Sequence, residues 1–125
     1  MARTLPGFPT PIPGEYTRFP PVYARVTTFS GPPDRLEEGL RLFRENVMPW
    51  MRDVTGFRGF LALVDREHGR SLGITFWASE EAALDPEASG GGLRDEITES
   101  IGATLHSLEV YEVAGVEALA LAERP

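Results

Sequence analysis

The sequence spells an α+β domain in the order β-α-β-β-α-β, a four-stranded antiparallel sheet with two helices on one of its faces. Three observations support this. Four runs rich in β-branched and aromatic residues, at 22–29, 57–66, 70–78 and 104–113, are separated by turn residues. Apolar residues three and four apart fill the space between the first and second runs, and a second, interrupted set lies between the third and fourth. The middle two runs are joined by the short "EHG", whose glycine suits the left-handed position of a hairpin. This is the split βαβ order, and no internal repeat competes with it.

The first run, "VYARVTTF", has strand composition, and "SGPPD" turns the chain after it. Asp34 followed by Glu37 has the form of a capping box. Leu36, Leu40, Phe43, Val47, Trp50 or Met51, and Val54 then make the apolar stripe of a first helix, with Gly56 as its C-terminal stop. Inside it, "RENVMPWMRD" carries Pro49. That proline removes an N–H and is expected to loosen the ladder between Val47 and Asp53 and bend the helix. Asn46 and Trp50 flank it one turn apart, hence on one helical face. "FRGFLALVDR" and "RSLGITFWA" form the hairpin. Ser79, Glu80 and Glu81 give an N-cap and an acidic first turn to a second helical region. "DPEASGGG" interrupts that region before Leu93, Ile97 and Ile101 resume its apolar face, and "TLHSLEVYEV" closes the sheet.

Outside the domain at 22–113, residues 1–21 hold Pro6, Pro9, Pro11, Pro13, Pro20 and Pro21 and read as an extended arm. Residues 114–125 read as an acidic, alanine-rich tail with the makings of a short partner-contacting helix.

Composition limits the functions. At 125 residues, 42% hydrophobic and 25% charged, the chain suits one globular domain. Twelve basic against 19 acidic residues give a net charge of −7, which disfavours nucleic acids and anionic membranes as partners. Every basic residue is arginine and there is no cysteine, so Schiff-base lysines, thiol nucleophiles, iron–sulfur clusters and zinc sites that need sulfur are excluded. The N-terminus lacks the apolar segment of a signal peptide, and no aliphatic or aromatic run is longer than Phe60 to Val64; the expected location is cytoplasmic.

The strands do not alternate cleanly between apolar and polar. Leu61 and Leu63 oppose Phe60, Ala62 and Val64, while Leu72, Ile74 and Phe76 oppose Trp77, so both sheet faces are built for burial. Two helices cover one face, and a second copy about a two-fold axis is the simplest cover for the other. Strands about 4.8 Å apart and about 17 Å long offer roughly 300–350 Å² in plan, short of the roughly 800 Å² per partner of a standard interface. Arm, tail or both are therefore expected to reach across.

"YARVTTF", "VMPWMRDVTGFRGF", "LALVDREHGRSLGITFWASEEA" and "SLEVYEV" together resemble the antibiotic-biosynthesis-monooxygenase-like branch of the dimeric α+β barrel superfamily, over about residues 22–113. The resemblance implies a ferredoxin-like fold, a homodimer whose sheets meet face to face, and a cavity between helices and sheet in each subunit. It implies no cofactor: haem-degrading relatives use an asparagine on the first strand and a histidine on the second helix, and neither 22–29 nor 79–103 supplies one. It carries to Asn46 and Trp50 the role of holding a phenolic ligand; packing of the indole and satisfaction of backbone freed by Pro49 is the other reading.

The remaining candidates come from residue chemistry. Arg25 is the best available clamp for an enolate or carboxylate if its side of the strand faces the cavity, and an interfacial ion-pair partner otherwise. His106, placed on a side with Leu108 and Val110, is the candidate general base or a structural histidine. Trp77, Tyr23 and Tyr111 serve as ligand walls or donors, or as packing. No metal is expected: Asp65, Glu67 and His68 read as a solvated turn. "SGGGLRDE" lacks the lysine and preceding strand of a phosphate cradle and reads as a hinge or surface loop. The expected function is small-molecule binding by a homodimer; the alternative is a cofactor-independent monooxygenase acting on a small aromatic or polyketide-like substrate.

Overall fold

The computed structural model describes residues 21–86 and 91–117. The proline-rich arm up to residue 20, residues 87–90 of the expected hinge, and the tail from 118 lie outside them; residues 113–117 follow the last strand without regular structure. Strands β1 (Tyr23–Ser30), β2 (Phe57–Asp65), β3 (Arg70–Trp77) and β4 (Thr104–Glu112) form one sheet in the order β2-β3-β1-β4. Every neighbouring pair is antiparallel. Helical segments α1 (Leu36–Leu42), α2 (Met48–Met51), α3 (Glu80–Leu84) and α4 (Gly91–Ser100) supply the second layer.

The first helix is not the single α-helix of the sequence reading. A 3₁₀ turn at Pro33–Arg35 leads into α1, and a π turn at Phe43–Val47 separates α1 from α2. The capping box does not form: Pro33 with its fixed φ starts the helix at Pro32, ahead of Asp34, and Glu37 meets Arg66 instead. The π turn has a direct cause. Pro49 has no N–H to give the carbonyl of Glu45, and its ring would collide with that carbonyl in an α-helix. Widening the preceding turn, with the Met48 N–H bonded to the Phe43 carbonyl, relieves both. Ser79 does cap α3, its side chain accepting from the Ala82 N–H at 3.1 Å.

Strand registers settle which side chains face the helices. Tyr23 pairs with Trp77, Arg25 with Thr75 and Thr27 with Gly73, and these share a face with Phe60 and Ala62 of β2. The core sits at one end of this face, where Val47, Met51, Trp77 and Ala83 are buried and Tyr23, Phe57 and Val110 pack on them. The opposite face presents Val26, Leu61, Leu63, Leu72, Ile74 and Phe76.

The β2–β3 turn closes on Gly69 at φ +65, where an added Cβ would meet the Gly31 carbonyl oxygen at 2.0 Å. Asp65 braces this turn, accepting from the His68 N–H at 3.2 Å and from Arg70 at 3.0 Å. The Arg70 hydrogen bond and then that of His68 hold the Asp65 carboxyl below its ordinary range. A depressed folded value means the contribution is present above the unfolded pKa and is lost as pH falls through the folded one. Asp65→Asn is therefore expected to lower the midpoint slightly at neutral pH and to converge with the wild type in acid, flattening part of the acid limb of a midpoint-versus-pH curve, as thermal melts across that range will show.

Candidate functional site

Towards the far end of β1 from the core, helices and sheet do not close on one another. On β3 the helix-facing residues run Ser71, Gly73, Thr75 and Trp77, small at one end and large at the other. Thr27 and Ala62 flank Gly73 on β1 and β2. Side chains this short leave a chamber of about 120 Å³. Phe43 and Phe60, stacked at 4.8 Å, form one wall with Met51, and Ile97 and Ile101 of α4 form another.

Arg25 breaks the apolar lining. It rises from β1 into the chamber wall and is only 4% exposed. Its Nη1 donates to the Asp85 carbonyl at 3.0 Å, while its Nε is buried and has no hydrogen-bond partner among the described residues. Burial lowers its pKa, the like charge of Arg94 lowers it further, and Asp85 opposes both. Arg94, on α4, also lines the chamber, and its Nε too is buried and unpartnered among the described residues. Sequence reading missed Arg94, since it follows the glycine run taken for a hinge. The available signal was its position three residues before Ile97, on the face that α4 turns to the sheet.

The other candidates lie elsewhere. Asn46 is exposed and its Nδ2 donates to the Leu42 carbonyl at 3.0 Å, the local role open to an amide beside a disturbed ladder. Trp50 is 45% exposed, and Met51 takes the buried, chamber-facing place. The π turn explains this: two turns beyond Phe43 an α-helix returns to Trp50, but one inserted residue brings Met51 there instead.

His106 does not share a side with Leu108 and Val110. Leu108 pairs with Thr27 and Ser107 with Thr28, but Leu105 pairs with Phe29, so His106 is the extra residue of a β-bulge. The bulge turns its exposed ring to Ser30, Nε2 lying 2.5 Å from Oγ. Trp77 is fully buried in the core, edge-on to Phe57, with Nε1 donating to Thr75 Oγ1 at 2.9 Å. Tyr23 packs on the same core. Tyr111 is 52% exposed, and its hydroxyl donates to Glu109 at 2.6 Å, which raises its pKa. Of the seven candidates only Arg25 lines the chamber; Arg25, Asn46 and His106 occupy three separate places.

With this geometry in view, comparison with known proteins places the fold. No family model matches the chain. Over 95 residues, 76% of this chain, it is 32% identical to the uncharacterized protein Rv2557 of Mycobacterium tuberculosis, and the match spans 42% of that relative's length. Among solved structures, a monooxygenase from the gene ActVA-Orf6 of Streptomyces coelicolor, in complex with nanaomycin D, aligns with a TM-score of 0.57 at 20% identity. That alignment covers 80% of this chain and 92% of the other. A putative antibiotic biosynthesis monooxygenase from Deinococcus radiodurans aligns with a TM-score of 0.53 at 15% identity, over 82% and 99% of the two chains. The chain thus shares the ferredoxin-like fold of these two structures. Among the described residues no helix is long and apolar enough to cross a membrane.

Proposed function

We propose that the protein binds a small, largely apolar molecule in the chamber between its helices and its sheet, and that it does so as a homodimer whose sheets meet by their open faces. The observation that carries the binding reading is the gradient along β3. The face that buries Trp77 completely at one end is stripped to Gly73 and Ser71 at the other, and an open chamber results. A domain selected only for stability would fill it, because apolar walls left without contacts forgo burial and dispersion energy. The dimer reading rests on the unhelixed face with its six large apolar side chains.

Fold similarity to the Streptomyces monooxygenase is the observation behind a second reading, cofactor-independent oxygenation. It takes second place because no His, Asp, Glu, Tyr or Cys lines the chamber among the described residues, so no side chain there is placed to accept a proton from a substrate near neutral pH.

A filling substitution tests the binding reading. A Cβ at Gly73 meets only Phe60, at an ordinary 3.8 Å, so Gly73→Leu is expected to fold and to place its branched end in the chamber. Titration with benzyl alcohol, followed by amide chemical shifts, should show saturable shifts in the lining residues of the wild type and affinity about tenfold weaker or worse in Gly73→Leu. Equal binding by the two proteins would place the ligand somewhere else.

A further inference from the structure

Resting on the binding reading, we infer that the ligand is a small organic anion: a single apolar ring or its equivalent, with an oxyanion head held between the guanidinium groups of Arg25 and Arg94. Four observations converge on this. Both arginines line one chamber, and both keep a buried Nε without a hydrogen-bond partner among the described residues. Arg25 is 96% buried, and the Arg94 side chain is 14% exposed. Their charges act on each other unfavourably. The carboxylates that act on them, Asp85 on Arg25 and Asp95 on Arg94, do not line the chamber.

The contrast with the surface is instructive. Arg35 sits on Glu38 at 2.7 Å, Arg41 on Glu45 at 3.0 Å and Arg70 on Asp65 at 3.0 Å, as expected of a chain with acids in excess. In water such pairs contribute little. Inside, where pairing matters most, Arg25 has the Asp85 carbonyl among its partners, and Arg94 has Asp95 at a long 3.4 Å. A buried guanidinium with unused donors is costly, and a second cation beside it adds to the cost. A bound oxyanion removes both penalties at once, since planar guanidinium forks match a carboxylate or phenolate and their mutual repulsion becomes a shared attraction. The negative net charge of the whole molecule opposes this only weakly, because at physiological ionic strength solvent-exposed charges more than about 8 Å away are largely screened while the two arginines act at close range.

The chamber sets the size and the body. Its volume of about 120 Å³ is comparable to the roughly 150 Å³ of an apolar cavity that takes up benzene, and because the chamber is open it can seat one ring with the head at its wall. Phe43, Phe60 and Met51 provide flat, polarizable contact for a ring. Inorganic anions would satisfy the arginines and leave this wall bare.

Benzoate and benzyl alcohol, alike in shape and different in charge, test the idea on the full chain at pH 7.5 by calorimetry and amide shifts. Benzoate is expected to bind about tenfold more tightly or better. Arg94→Gln should weaken benzoate far more than benzyl alcohol and so erase most of the preference, with its thermal midpoint unchanged or higher. Arg25→Met should do the same. If it fails to fold, the partly exposed Arg94 still decides the matter. Equal affinity for the two probes in the wild type, or a preference that survives Arg94→Gln, overturns the anion assignment and leaves the binding reading intact. Sulfate matching benzoate at equal concentration overturns the apolar body. No binding of either probe overturns both readings.

Discussion

Replacing Trp77 with alanine is expected to destabilise the domain by about 3–5 kcal/mol, the range for a large buried aromatic. Trp77 is fully buried, and it joins β3 to the helical layer through Val47, Met51 and Ala83. Its edge contact with Phe57 at 5.5 Å adds a directional component beyond area. The described core is small, five buried hydrophobic residues in all, so neighbouring side chains have little capacity to close the hole. The truncation also withdraws the indole N–H from Thr75 Oγ1, and Thr75 lines the chamber. The thermal midpoint should fall by at least about 10 °C. Trp77→Phe keeps an aromatic ring in place but loses the donor and part of the indole's volume, so its loss should be smaller than that of alanine. Comparable losses in the two variants would mean that the indole's donor and full outline, not aromatic bulk alone, hold this end of the sheet.

The architecture was legible because the rules that give it are local. Period-two and period-3.6 apolar patterns, Ser79 as a cap and the glycine turn at Gly69 each fix a short segment, and strand order follows from their succession. The site was less legible, because in each failure one residue changes the phase of a pattern. Pro49 was rightly read as disturbing the helix, but its effect runs upstream into Phe43–Val47, and the inserted residue exchanges Met51 for Trp50 at the chamber. The bulge at His106 does the same to β4. Neither insertion shows in a count of spacings that assumes ideal geometry. The chamber itself was visible in outline, since Ser71, Gly73 and Thr75 alternate with Leu72, Ile74 and Phe76. Attention to large residues as site builders hid the small ones that make the space. Arg25 differed because a lone arginine in a strand of apolar and hydroxyl residues is conspicuous whatever the phase.

Ile74→Glu is expected to convert the proposed homodimer into a folded monomer. Ile74 lies at the middle of the open face, opposite Val26 on β1 and Leu61 on β2, and its side chain points away from the helices. In a lone subunit a glutamate there is solvated, so the fold should survive, with an unchanged circular dichroism spectrum and a midpoint that no longer depends on concentration. In a two-fold assembly each substitution occurs twice. Two carboxylates would be driven into an apolar contact without partners, at a cost of about 3–5 kcal/mol for each uncompensated buried charge. Even one such penalty raises the dissociation constant by at least about 100-fold. Leu61→Lys on the neighbouring strand should act in the same way alone. Mixed with Ile74→Glu, it should partly restore association, because the contact of the mixed dimer would then hold one charge of each sign instead of two alike. Sedimentation equilibrium at micromolar concentration decides the point. A wild type that sediments as a single subunit would remove the dimer, and a dimer indifferent to both substitutions would move the contact off this face.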